Sequence, residues 1–114
     1  MHVVCAETDE QARYIASSMR LAVARLRTGG ATTPLLPPEE ASRFAPVGAE
    51  GEFVASFTRH FIEGSPELVR RRLIAVADQY GTNDLTIATN CFSFEDRVRS
   101  YQLVAEAWAA SRSR

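Results

Sequence analysis

Apolar residues recur at helical spacing in several parts of the chain, and two short apolar runs lie apart from them. The runs cover residues 2–6 and 85–88, and each has the length and composition of a buried strand. Helices are predicted from residue 9 to the Thr28-Gly29-Gly30 turn, over 52–62, over 66–80 and over 95–109. Strands that alternate with helices favour parallel pairing. The pattern therefore predicts an α/β protein with two short parallel strands and a mostly helical remainder.

The helix over 66–80 has the clearest signals at its ends. Ser65 is a good N-cap, and Pro66 suits the first helical position because proline has no amide hydrogen to leave unpaired. Gly81 is a favourable left-handed stop. The predicted buried stripe consists of Val69, Leu73, Val76, Ala77 and Tyr80.

Two other helix starts have the spacing of a capping box. Thr8 with Gln11 precedes the first helix, and Ser93 with Asp96 precedes the last one. The apolar stripe predicted for the first helix is Ala12, Ile15, Ala16, Met19, Ala22, Val23 and Leu26, and that for the last helix is Val98, Tyr101, Ala105 and Trp108.

Residues 31–63 interrupt the regular pattern. Four of the five prolines fall in 31–51, which predicts an irregular excursion, and Pro38 begins a short helical turn. Long excursions of this kind serve as lids or binding elements, although a passive insertion explains the composition equally well. Phe53, Phe57 and Phe61 lie four apart and predict a core or interface stripe.

Composition bounds the function classes. At 114 residues and a net charge of −1, the sequence predicts a single domain over 1–114 with no general attraction to nucleic acid or an anionic membrane. No apolar run approaches the roughly 20 residues that cross a bilayer. The amino terminus lacks the basic and apolar regions of a signal peptide. We expect a cytoplasmic protein.

No residue pattern identifies a metal site or a catalytic residue. His60 has no second histidine or carboxylate at ligand spacing, so we assign it no role and predict no metal. Cys5 and Cys91 fall at or beside the predicted strands and are interpreted as packed thiols. Arg70, Arg71 and Arg72 share only the composition of a phosphate clamp, because on a helix they point in three directions.

Five segments in order carry a resemblance that covers nearly the whole chain. They are Val4–Arg13, Arg25–Gly29, Pro38–Ala41, Gly64–Val69 and Tyr80–Leu85. Together they resemble the carboxy-terminal part of the bacterial-luciferase-like flavin-dependent monooxygenases. The resemblance implies a TIM barrel that binds reduced FMN at the carboxyl ends of its strands. It also implies a flavin hydroperoxide that inserts one oxygen atom into a substrate.

On this resemblance, the chain is the carboxy-terminal fragment of a TIM (β/α)8 barrel. Residues 2–6 correspond to the seventh strand, 31–63 to an insertion near the active-site mouth, 85–88 to the eighth strand and 95–109 to the last helix. A whole barrel needs about 200 residues or more, so roughly six repeats are absent. The family's catalytic histidine and most of its phosphate contacts lie upstream, so no catalytic residue is assigned.

Strand ends face the active site in such a barrel, which leaves five candidates for a cofactor-binding rim. They are Glu7, Thr8, Thr89, Asn90 and Cys91. Each also has a simpler explanation: Thr8 caps a helix, Asn90 makes a turn, and Cys91 has no basic neighbour that would lower its pKa.

Two hypotheses remain. The chain is a truncated part of a luciferase-like monooxygenase, inactive alone and weak or inert toward FMN, or it is a non-catalytic oligomeric assembly module or folded remnant. Unpaired strand edges and the phenylalanine stripe favour a partner in both cases. We expect that partner to be a second copy or a complementary barrel fragment.

Overall fold

The computed structural model describes residues 1–27, 35–44 and 47–112. Two strands form one parallel sheet, in which Val3 pairs with Ile62, Val4 with Glu63 and Cys5 with Gly64. The elements in chain order are β1 (Val3–Cys5), α1 (Asp9–Arg27), α2 (Pro38–Ala41), α3 (Gly48–Phe57), β2 (Ile62–Gly64), α4 (Pro66–Tyr80) and α5 (Phe94–Arg112).

Helices cover both faces of this sheet. Successive side chains of a strand point to opposite faces, so Val3 and Cys5 enter one core while Val4 and Ala6 enter another. The first core adds Ile62 and residues of α4 and α5: Val69, Leu73, Leu103 and Val104. The second adds Cys91 and the apolar face of α1: Ala12, Ile15 and Ala16.

The predicted barrel fragment is wrong. A barrel strand turns one face to the barrel interior and the other to a helix, whereas β1 is packed against helices of its own chain on both faces. The partner of β1 is β2, and residues 85–88 contribute only an isolated parallel bridge between Ala88 and His2. The described residues form a small domain around a two-stranded sheet. The short strand Ile62–Gly64 was missed because it follows the phenylalanine stripe without a turn signal.

Helix α4 confirms its predicted ends. Gly81 follows it in the left-handed conformation, with φ of 62°. Ser65 occupies the N-cap position but its side chain makes no capping hydrogen bond. Val69, Leu73 and Ala77 are buried, whereas Tyr80 is 71% exposed, so the buried stripe ends one turn earlier than predicted.

The predicted face of α5 is correct only in part: Trp108 packs against the first core, as predicted. Val98 and Tyr101 are 38% and 40% exposed, and the buried side chains are Ser100, Leu103, Val104 and Ala107. Apolar residues lie on more than one side of this helix, so spacing alone does not select a face. Ser100 lies on the buried face of α5, where its Oγ accepts a hydrogen bond of 2.9 Å from the Cys5 amide in the core.

Helix α3 ends before the predicted position. It stops at Phe57, and a turn leads into β2 at Ile62. The phenylalanine stripe nevertheless forms a row of rings, with centroids 6.0 Å apart for Phe53 and Phe57 and 6.3 Å apart for Phe57 and Phe61. Helices α2 and α3 pack on α1. The lid-like role of 31–63 stays a prediction, and the predicted turn at Thr28–Gly30 lies outside the described residues.

Candidate site at the carboxyl edge of the sheet

Three segments meet where the strands end, and we call their residues the carboxyl edge: Ala6–Asp9, Gly64–Ser65 and Thr89–Cys91. The Ala6 amide donates to the Gly64 carbonyl at 3.2 Å. The Ser65 amide donates to Asp9 Oδ1 at 2.7 Å. The hydroxyl of Thr89 donates to the carbonyl of Val3 at 2.6 Å. The fold therefore brings Cys91 beside Ala6 at the end of β1, whereas Thr89 contacts Val3 and Asn90 contacts His2, nearer the start of that strand.

Two of the five candidates are committed to the fold. Thr8 Oγ1 accepts the Gln11 amide at 3.1 Å, which confirms the predicted cap. Thr89 is 2% exposed, and in addition to its hydroxyl bond its amide donates to the phenolic oxygen of Tyr101 at 3.0 Å. A buried hydroxyl with this role stabilises the backbone and is not available to a ligand.

The other polar candidates face solvent. Glu7 Oε1 lies 2.9 Å from Arg99 Nε, and the two side chains are 57% and 49% exposed. Asn90 is exposed, and its backbone amide donates to His2 Nε2 at 3.2 Å. Its side-chain amide makes no hydrogen bond to the described part of the chain. Glu7, Arg99 and Asn90 are therefore the groups of this edge that a bound molecule or partner could contact.

Both cysteines are buried free thiols, as predicted. Burial raises the pKa of Cys5 to about 11, and the nearby Glu7 carboxylate adds to the increase. Burial and Asp96 likewise raise the pKa of Cys91, whose Sγ lies 3.5 Å from the Ser93 carbonyl. Since the thiolate is the reactive form, neither cysteine has the electrostatics of a nucleophile.

Three further residues organise the edge without having been predicted as part of it. Asp9, Ser100 and Tyr101 accept backbone hydrogen bonds from Ser65, Cys5 and Thr89. The Ser65 amide bond lowers the pKa of Asp9. The acidic helix start was the only sequence signal for Asp9, and a serine or tyrosine inside a helix gives no signal for a contact 95 or 12 residues away.

The carboxyl edge does not fit FMN by itself. Its two threonine hydroxyls are used internally, and Glu7 adds a negative charge where a phosphate would need donors. Arg99 is a cationic donor beside this edge, and it is already paired with Glu7. Within residues 1–27, 35–44 and 47–112, no group of three or more histidine, cysteine or acidic side chains could hold a metal ion. Over the same ranges, no helix is long and apolar enough to cross a membrane.

No family model matches the chain. The chain is 31% identical over 105 residues to the uncharacterized protein YceB of Bacillus subtilis strain 168. This alignment covers 91% of the chain and 31% of YceB. The chain is 33% identical over 112 residues to the uncharacterized protein YwcH of the same strain, covering 94% of this chain and 32% of YwcH. The chain therefore spans about a third of the length of these relatives.

A solved structure shows the same relation. The crystal structure of apo-MsnO8 superposes on 96% of this chain with a TM-score of 0.75 and 27% identity, and the match covers 33% of that chain. The fold described above is thus similar to one third of a longer protein, over almost all of its own length.

Proposed function

We propose that the chain corresponds to the carboxy-terminal part of a luciferase-like, FMN-dependent monooxygenase, that it is inactive alone, and that it acts in the cytoplasm. The observation that supports this most is the match of nearly the whole chain to about a third of three longer proteins, in sequence for two and in structure for one. The ordered segments from Val4–Arg13 to Tyr80–Leu85 supply the link to flavin chemistry.

The proposed contribution of the chain is one side of a larger site. Parallel strand ends are the usual position of ligands in α/β proteins, and three polar groups face outward there: Glu7, Arg99 and Asn90. FMN, when bound to the complete protein, would supply the oxygen-transfer chemistry. The residues of this chain would contact and orient it without supplying a catalytic group.

An FMN titration tests this proposal on three proteins. They are the purified chain, intact YwcH, and a chimera in which this chain replaces the matching 112 residues of YwcH. We expect saturable quenching of flavin fluorescence for YwcH and the chimera, with dissociation constants within about tenfold of each other. The isolated chain should bind more weakly than about 0.1 mM, because most of the site lies elsewhere.

A matched pair of variants in the chimera examines the carboxyl edge. Asn90→Ala removes an outward-facing amide at the edge, whereas Asn83→Ala removes an exposed amide in the turn after α4. We expect only Asn90→Ala to weaken FMN binding. A folded chimera that does not bind FMN, or a YwcH that does not bind it, contradicts the proposal, and tight binding by the isolated chain contradicts its inactivity alone.

An assembly module is the second candidate function, and an apolar groove supports it. Helices α4 and α5 and residues 85–87 enclose about 330 Å³ lined by Leu73, Leu85, Ile87, Tyr101, Val104 and Trp108. Phe92, just before α5, and Phe94, at the start of α5, have side chains that are 50% and 65% exposed. Exposed apolar surface of this kind favours association. Sedimentation of the sample used in the FMN titration distinguishes the two candidate functions. A defined oligomer without flavin binding supports the assembly module, and a monomer at tens of micromolar excludes it.

A further inference from the structure

A cavity of about 520 Å³ lies at the opposite end of the sheet, where the strands begin. We call it the amino-edge cavity. It falls within the roughly 300–1,000 Å³ typical of small-molecule sites. The lining residues that matter here are His2, His60, Phe61, Arg72, Ala75 and Tyr80. None of the predicted rim candidates lines it.

The side-chain charge of this cavity comes from Arg72, and Met1, whose amino group lies 3.4 Å from the Thr86 carbonyl oxygen, lines it as well. Arg70 Nη2 lies 2.8 Å from Glu67 Oε1, and Arg71 Nε lies 3.9 Å from the same oxygen. Arg72, the next residue, has no ion pair or hydrogen bond with the described residues, and it lines the cavity. No aspartate or glutamate is among the described residues of the lining. An anion would therefore find a donor here without a competing carboxylate.

Aromatic rings form much of the remaining wall. The Phe61 ring lies 4.4 Å from the His2 ring between centroids, and His60 and Tyr80 add two more rings. His2 is 8% exposed, and burial lowers its pKa, which disfavours the charged form of its ring. Its Nδ1 is buried and has no hydrogen-bond partner among the described residues. Flat faces of this kind favour stacked or edge-to-face contact with another ring.

We propose that the amino-edge cavity binds a small planar aromatic carboxylate, with its ring against Phe61 and its carboxylate on the Arg72 guanidinium. A bidentate arginine–carboxylate pair fixes orientation as well as charge. The apolar side chain of Val76 completes the wall on which the ring would rest. This site is separate from the carboxyl edge and does not depend on flavin binding.

The test uses a fluorescent pair of probes on the purified chain. Anthranilate is a planar aromatic carboxylate, and anthranilamide has the same shape without the charge. We expect saturable binding of anthranilate at submillimolar concentration, about fivefold tighter than anthranilamide. Absence of saturation up to about 5 mM, or equal binding of the two probes, overturns the proposal.

Three variants locate the binding. Arg72→Gln should reduce anthranilate affinity about fivefold and remove the preference over anthranilamide, whereas Arg71→Gln should retain both. Ala75→Phe fills the cavity from an exposed helix position and should abolish binding of both probes. Circular dichroism establishes that each variant folds. Equal losses in Arg72→Gln and Arg71→Gln, or unchanged binding in Ala75→Phe, place the probe elsewhere and overturn the proposal.

Discussion

The two ends of the sheet differ in how their polar groups are used. At the carboxyl edge the hydroxyls of Thr8 and Thr89 and the carboxylate of Asp9 hold backbone amides or carbonyls of the same chain. At the amino-edge cavity, His2 Nδ1 and the Arg72 guanidinium have no partner among the described residues. These three groups of the first end are therefore satisfied within the chain, whereas the two groups of the second end have hydrogen-bonding capacity to spare.

This difference shows that convergence of polar side chains does not by itself make a ligand site. Residues at strand ends are candidates because such ends commonly carry function. The hydroxyls of Thr8 and Thr89, however, form hydrogen bonds within the chain. A cavity lined by a cation without a partner among the described residues is a stronger candidate, because a carboxylate can pair with the exposed Arg72 guanidinium.

Replacing Thr89 by valine should have the largest effect on the stability of the carboxyl edge. Valine keeps the shape but removes the hydroxyl donor, so the Val3 carbonyl loses its 2.6 Å hydrogen bond in a buried position. We expect the free energy of unfolding to fall by about 1–3 kcal/mol in urea denaturation. Thr86→Val, at an exposed position in the same segment, should change it by less than about 0.5 kcal/mol. Equal effects would mean that the Thr89 hydroxyl is not needed.

Local signals in the sequence predicted the helices and their caps better than the sheet. The caps at Thr8 and Ser93 and the stop at Gly81 depend on neighbours within a few residues, and the structure confirms them. The pairing of β1 with β2 depends on contacts about 60 residues apart, and both strands have only three residues. Such short strands carry little periodicity, so tertiary packing decides which segment pairs.

The pH dependence of stability should sharpen the view of the amino-edge cavity. Burial lowers the pKa of His2 below its ordinary value of 6.5, so the unfolded chain binds a proton more readily than the folded one. The free energy of unfolding is therefore highest, as far as His2 is concerned, above pH 6.5. It decreases as the pH falls from the unfolded-state pKa of His2 through its lower folded-state pKa. Urea denaturation between pH 7.5 and 5 should show it.

Two variants compare the effect of His2 with that of the other histidine of the chain. His2→Gln removes the titrating ring and should flatten the pH dependence below 6.5, whereas His60→Gln, at an exposed position, should retain it. An unchanged slope in His2→Gln would show that protonation of His2 does not oppose folding. His2 also contacts Asn90 through Nε2, so its loss tests the link between the two ends of the sheet.

In the candidate sites, as in the fold, local features could be predicted from the sequence and features that depend on distant contacts could not. Sequence reasoning could place Glu7 and Asn90 after apolar runs, because that is a local pattern. It could not show that, of three consecutive arginines, Arg72 has no partner among the described residues, because this depends on where Glu67 points relative to the cavity. His60 was assigned no role because no second histidine or carboxylate lies at ligand spacing in the sequence, and its place in the cavity lining with His2, Phe61 and Tyr80 depends on the fold.

The smallest effect is expected for the exposed ion pair of the carboxyl edge. Glu7 and Arg99 join the segment after β1 to α5, with side chains 57% and 49% exposed. Solvent and salt screen such a pair, so Glu7→Gln should lower the free energy of unfolding by less than about 0.5 kcal/mol. Glu10→Gln, at an exposed position in the first turn of α1, is the matched control. A loss above about 1 kcal/mol that disappears in 1 M salt would show that charge, in addition to the buried hydroxyls, holds this edge together.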